Sequence, residues 1–396
     1  MASKWTISSY GNWANWHDGD AIPTTDLIDL GVVDFKIKFC NRAADEAHIQ
    51  FERRGRITDE SAIWDRFGLG FLYRLSYDGI PVFSGRLEKV VPVGGGKSQK
   101  TELVFLGGWH FLELVMCQAP HTYANVSMVT SRASIGHNVA NTDIVNIVYW
   151  ACCASGTGLH YPGDSYSGFV TVSNTYKVPA SEFVDCTCAE ALNKVLAFFP
   201  AAFAWTEFHS NHNSNIPILH VGLRGETPTA TIAGGSNDLF DAPNLESYRI
   251  TQPPAERIPG VRVIMEHEDG SRPDKYETHD PDSIGGVICT VDASASASIS
   301  GFGNQQNFAT FLYAENHFGY HEGALVLVGR EPPNLLTMRP DRFLSVVVGG
   351  TSWPTPIQHV EFDIGRGRTT IGFGPPSHLG SNDLVSLALA NSSRRH

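Results

Sequence analysis

Runs in which hydrophobic and polar side chains alternate recur through this chain, and they restrict its fold more than any other feature. In DFKIKFCN, Phe35, Ile37 and Phe39 fall on one side and Lys36, Lys38 and Cys40 on the other. That is the period of a half-buried strand, whose successive side chains leave opposite faces of the backbone. AHIQFERR repeats the pattern after a turn at Asn41 to Glu46. FLYRLSYDGIPVFSGRLEKVVPV reads as two strands around Asp78-Gly79, a pair suited to the positive φ angles of a tight hairpin. With 38 glycines and 22 prolines to break such runs, a β-rich architecture with many turns is expected.

The stretch VVPVGGGKSQKTELVFLG resembles a phosphate-binding loop, because Lys97 and Ser98 follow Gly96. The glycine expected five positions earlier is Val91, however, and TELVFLG alternates as a strand does. A phosphate loop needs the free N–H groups at a helix start. A hairpin tip is therefore expected.

Beyond Trp109 the pattern changes. Asn141-Thr142-Asp143 offers a helix cap ahead of Ile144, Ile147, Val148 and Ala151, which share one helical face. Thr187 and Glu190 have the spacing of a capping box, Leu192, Val195, Leu196 and Phe199 form an apolar stripe, and Pro200 ends it. With the strands AAFAWTEF and ILHVGLR, this predicts a mixed α/β module of roughly a hundred residues. From about Tyr248 strands resume, in GVRVIMEHEDG, GALVLVG and RFLSVVVGG, and HVEFDIGRGRTTIGFG predicts a hairpin turning at Gly365-Arg366-Gly367. This hairpin and GIPVFSGRLEKVVPVGGGKSQKTELVFLGG share a layout of proline-bearing turn, long strand, glycine tip and returning strand. Two related domains in one chain are compatible with that likeness.

The 396 residues suffice for two or three domains, and 42% hydrophobic with 18% charged residues describes a folded, globular chain. A net charge of −12 disfavours a protein that grips nucleic acid by its phosphates. MASKWTISSYGNW lacks the charged lead and apolar core of a secretory signal, and no window has the apolar length of a membrane span, so cytoplasmic synthesis and folding are expected. The seven cysteines, Cys40, Cys117, Cys152, Cys153, Cys186, Cys188 and Cys289, are read mostly as small buried hydrophobes rather than a disulfide framework.

Catalytic signatures such as HExxH, GxSxG and GxGxxG are absent from the sequence. His209 and His212 have a spacing that suits a metal but stand in the turn-rich HSNHNSN, and exposed turn residues are the simpler reading. Glu266, Glu268 and Asp269 in MEHEDG offer carboxylates for sugar hydrolysis, although acidic residues at a strand end are commonly just solvated. Trp5, Tyr10, Trp13 and Trp16 form either a sugar-stacking surface or an anchor for a neighbouring subunit. The anchor is preferred, with Trp5, Trp13 and Trp16 as interface residues. Leu384 and Leu387, on a short C-terminal helix, join them because so short a helix is marginal alone. No catalytic residue, cofactor or metal is expected.

Four stretches, DFKIKFCNRAADEAHIQFERR, DGIPVFSGRLEKV with LVFLGGWHFLELVMCQ, CAEALNKVLAFFPAAFAWTEF and TTIGFGPPSHLGSNDLVSLALANSSRR, together resemble the baseplate hub or tail-tip proteins of long-tailed bacteriophages. The likeness is one of pattern, spread over most of the chain and poorest from about Glu266 to Phe343. It implies a mainly β fold in which two tail-tube-like β-barrels flank a smaller α+β module. The divisions are then 1–118 with an N-terminal arm, 119–245 for the mixed module, 246–376 with an insertion, and a C-terminal arm at 377–396. It further implies a non-enzymatic virion protein assembled in the host cytoplasm, a homotrimer whose six barrels join a sixfold tail tube to a threefold tip. Implied partners are the tail tube or distal tail protein, a tape-measure protein and tail-tip or fibre proteins, with DNA passing an acidic lumen without specific binding. The alternative is a carbohydrate-active or carbohydrate-binding β-rich protein.

Overall fold

A computed structural model describes the chain at residues 5–9, 24–52, 67–95, 98–117, 132–136, 138–153, 169–175, 178, 181–199, 202–209, 216–224, 230–232, 244–251, 260–264, 275–279, 289–292, 309–310, 312–313, 321–329, 338–348 and 351–374. The first part is all strand: β1 (Trp5–Ser9), β2 (Thr25–Asp26), β3 (Val32–Cys40), β4 (Asp45–Glu52), β5 (Leu72–Tyr77), β6 (Ile80–Gly95) and β7 (Ser98–Gly107). The alternation in β3 is reproduced as burial, with Phe35, Ile37 and Phe39 at 4%, 0% and 6% exposure. Asp78 and Gly79 turn β5 into β6 with φ of 51° and 79°. Gly95 pairs with Ser98 across the next tip, and β7 follows as a strand. Gly96 and Lys97 lie outside the described residues, but Ser98 opens a strand and not the helix that a phosphate loop requires.

The central region holds α1 (Trp109–Leu114), β8 (Arg132–Ile135), α2 (Ala140–Cys153), β9 (Val170–Thr171), β10 (Ser181–Val184), α3 (Cys188–Leu196), β11 (Ala202–His209), β12 (Ile216–Leu223) and β13 (Ala230–Ile232). The capping box at Thr187 and Glu190 forms as expected. The other cap differs from expectation. Helix α2 begins at Ala140, while Asn141 accepts the Val172 and Ser173 N–H groups at 2.8 and 2.7 Å and Asp143 accepts that of Gly136 at 2.7 Å. These side chains satisfy neighbouring loop backbone. The stripe Ile144, Ile147, Val148 and Ala151 packs with Leu192, Val195 and Leu196 in a core of its own.

Strands resume with β14 (Leu245–Thr251), β15 (Gly260–Ile264), β16 (Lys275–His279), β17 (Cys289–Asp292), β18 (Glu322–Val328), β19 (Phe343–Val348), β20 (Thr351–Asp363) and β21 (Arg368–Phe373). Val261 and Val263 of β15 join the core of the central region.

The two separate barrels that the resemblance implies are not seen: among the described residues no sheet closes into a barrel. One 13-stranded sheet instead runs β14-β18-β21-β20-β3-β4-β7-β6-β5-β1-β2, with β19 and β13 branching from β20. The cause is β20, long enough to serve two neighbours. Its first half pairs with β19 and its second half with β3.

Candidate functional site, a sheet junction and two open edges

The β3 to β20 pairing joins the two ends of the chain. Lys36 lies opposite Asp363, Ile37 opposite Phe362, Lys38 opposite Glu361, Phe39 opposite Val360 and Cys40 opposite His359. Phe35 O accepts from Ile364 N at 2.9 Å, and Asn41 N donates to Gln358 O at 2.7 Å. On one face Phe39 meets Phe362 edge to face at 6.2 Å, and on the other Lys36 reaches Asp363 at 3.2 Å and Glu361 at 4.0 Å.

The turn after β3 ties this junction to the central region. Arg42, at φ 55°, donates to the carbonyls of Phe199 and Ala202 at 2.9 and 2.8 Å, and Asn41 Oδ1 accepts from Ala204 N at 3.1 Å. Arg224 donates to the carbonyls of Pro340 and Ile357 at 3.0 and 3.1 Å. Asp45 accepts the Cys40 N–H at 2.9 Å. Burial raises the Asp45 carboxyl to about 7, against the opposing pull of that hydrogen bond, and burial beside Arg224 lowers Arg42 to about 9. Every one of these contacts satisfies backbone, so the cluster acts as a clamp.

The runs on either side of the junction are copies in topology. In chain order, β3, β4, β5, β6 and β7 correspond to β14, β18, β19, β20 and β21. Sheet neighbours are β3-β4-β7-β6-β5 in one and β14-β18-β21-β20-β19 in the other, antiparallel throughout. Two irregularities match as well. One bulge falls between Val32 and Asp34 of β3 and between Leu245 and Ser247 of β14; a second falls between Leu87 and Lys89 of β6 and between Ile357 and His359 of β20. Superposing the second bulge equates Val90 with Val360. Following the rungs, Val90-Leu103-Ile49-Phe35 then corresponds to Val360-Ile371-Leu325-Tyr248, and the first bulge falls into line without further adjustment. Bulges are positioned features of a sheet, so coincidence of both in register marks a repeat.

The copies differ in a third bulge, between Leu75 and Ser76 where β5 meets β6, which the β19 to β20 pairing lacks, and they differ at their edges. The second half of β20 is covered by β3, whereas among the described residues no strand lies beside the second half of β6, where Val91 and Pro92 are exposed. Likewise β3 has neighbours on both sides, while β14 pairs with β18 alone among the described strands. Tyr248, the counterpart of Phe35, is 47% exposed where Phe35 is 4%.

Of the residues expected at interfaces, Trp5 is described. It is 6% exposed and packs on Phe35 and Tyr77 at 5.0 and 4.9 Å, so its own chain supplies the partners that the local sequence lacks. Trp13, Trp16, Leu384 and Leu387 lie outside the described residues, as do His212, Glu266, Glu268 and Asp269. Among the described residues no group of histidine, cysteine or acidic side chains is arranged to hold a metal ion. Cys40, Cys117, Cys152, Cys186 and Cys188 are free thiols, all buried except the half-buried Cys152. No described helix is long and apolar enough to cross a membrane.

No protein-family model and no curated protein sequence matches this chain. Solved structures do. A tail protein from Neisseria meningitidis MC58 is similar over 96% of this chain and 99% of its own, with 13% identity and a TM-score of 0.56. The 43 kDa tail protein of prophage MuSo2 from Shewanella oneidensis is similar over 93% and 97%, with 10% identity and a TM-score of 0.55. Prophage tail protein gp18 from Listeria monocytogenes EGD-e is similar over 98% and 100%, with 8% identity and a TM-score of 0.51. The fold is that of phage tail proteins. Near end-to-end coverage means that this tail-protein fold takes in both copies and the central region together. What sequence reading missed is the junction and the edge of β14 that no described strand covers; the likeness of the two hairpins was the available signal.

Proposed function

We propose that this chain is a structural subunit of a phage tail, a hub at the baseplate or tail tip whose three copies form a ring. Each copy contributes two equivalent β units, so three present six, which matches a sixfold tail tube on one side and a threefold tip on the other. The repeat with both bulges in register carries this reading, and the tail-protein fold supports it. A role in joining parts fits the clamp around Arg42, which ties the backbone of the central region to the junction. The acidic balance suits a lumen through which DNA passes without being held. Partners on this reading are the tail tube or distal tail protein, the tape-measure protein and tail-tip or fibre proteins, and its place is the virion. The segments bearing Trp13 and Trp16, and Leu384 and Leu387, dock on neighbours in the ring.

Light scattering on the purified chain tests the reading. The expected mass is three times the 43.2 kDa of the chain. A monomer at micromolar concentration and physiological salt contradicts it.

A further inference from the structure

The repeat also specifies how neighbouring copies meet. We propose that β14 of one copy adds antiparallel to the open second half of β6 in the next, in the register by which β3 takes β20 within each chain. The inference rests on the ring reading and assigns its joint.

Within the chain, the second half of the fourth strand of one unit pairs with the first strand of the other. Among the described residues each copy then retains one unused position of each kind, the second half of β6 and the outer edge of β14. Equating β6 with β20 and β14 with β3 through their bulges sets Arg249 opposite the next copy's Val93, Ile250 opposite Pro92 and Thr251 opposite Val91. Because the two edges are different surfaces, the contact is head to tail and continues past a dimer, and the threefold symmetry of the ring reading closes it. Strand addition to an exposed edge supplies the main-chain bonds.

Side chains on both edges fit burial. Val91 and Tyr248 are 36% and 47% exposed. An apolar open edge such as VVPV is an aggregation hazard unless something covers it. Two features set this joint apart from the internal one. Pro92 stands where Phe362 does and has no N–H, so one bond is missing, although its carbonyl still accepts from Ile250. Val91 and Val93 replace Glu361 and Asp363, so Arg249 lacks the carboxylates that Lys36 meets. The joint between copies is thus more apolar and one bond weaker than the joint within a copy.

Cysteine pairs test the register. By alternation from the Phe35 to Ile364 and Asn41 to Gln358 bonds, Lys36 and Lys38 occupy the closer, non-hydrogen-bonded pairs with β20, whose spacing permits a disulfide. Val91→Cys with Thr251→Cys, or Val93→Cys with Arg249→Cys, is oxidised with diamide, which takes up both thiol protons and the two electrons, and run on a non-reducing gel beside the parent chain. Covalent trimers from either pair, absent from each single variant and from Val91→Cys with Ile250→Cys on opposite faces, are the expected result. If both pairs give folded trimers by circular dichroism and light scattering yet no interchain link above the parent, the joint is wrong while the ring stands. Equal linking by the opposite-face pair also overturns the register. A chain that is monomeric by light scattering overturns the ring reading itself, and the joint with it.

Discussion

Asp45 illustrates how single residues hold this molecule together. Its carboxyl sits at the head of the clamp, raised from 3.8 to about 7 chiefly by burial. A carboxyl whose folded-state pKa is raised binds more protons folded than unfolded. Its contribution to stability is therefore complete below about pH 4 and is lost as pH rises toward 7. The slope reaches at most about 1.4 kcal/mol per pH unit. Asp45→Asn, which keeps an acceptor for the Cys40 N–H, should flatten the pH dependence of urea unfolding between pH 4 and 7 relative to the parent. Parallel curves for the two proteins would show that Asp45 does not titrate in this window. Such behaviour is invisible in the string RAADEA, where Asp45 reads as an exposed turn acid. Trp5 is hidden for the same reason: its partners Phe35 and Tyr77 are remote in sequence, so a short polar arm looks like an anchor with nothing of its own to bind.

At the scale of elements the sequence is most legible where the signal is local. Alternation finds β3, β4, β6, β7, β20 and β21 because period two survives in any half-buried sheet, and Asp78-Gly79 marks its hairpin by chemistry alone. The capping box of α3 is equally local: Glu190 N donates to Thr187 Oγ1 at 3.2 Å, and Glu190 returns a bond to the Thr187 N–H at 2.8 Å. Thr187→Ala should cost about 1 kcal/mol in urea unfolding. A loss indistinguishable from zero would mean that packing of Leu192, Val195 and Leu196 alone sets the helix start. Polar residues in the first turn of α2 mislead, since Asn141 and Asp143 have the composition of caps but each accepts from loop backbone. Cap and loop anchor use the same chemistry, and only the position of the neighbouring chain distinguishes them.

For the molecule as a whole, the unread feature is the join. Asn41 and Gln358 are 317 positions apart, and nothing local to either strand announces the other. Local patterns suggest two hairpin-rich domains; the pairing of β3 with β20 fuses them into one sheet and leaves one matching edge of each kind without a strand beside it among the described residues. The bulges at Val33 and Glu246, and at Glu88 and Gln358, are likewise silent in sequence, because an extra residue in a strand is defined only by its partner's register. Electron cryo-microscopy of the purified assembly tests the central claim most directly. The account predicts a ring of three copies in which six β units stand at near-equal intervals, with β14 of each copy beside β6 of the next. A monomer, or a ring whose copies meet through other surfaces and leave the second half of β6 bare, would contradict it.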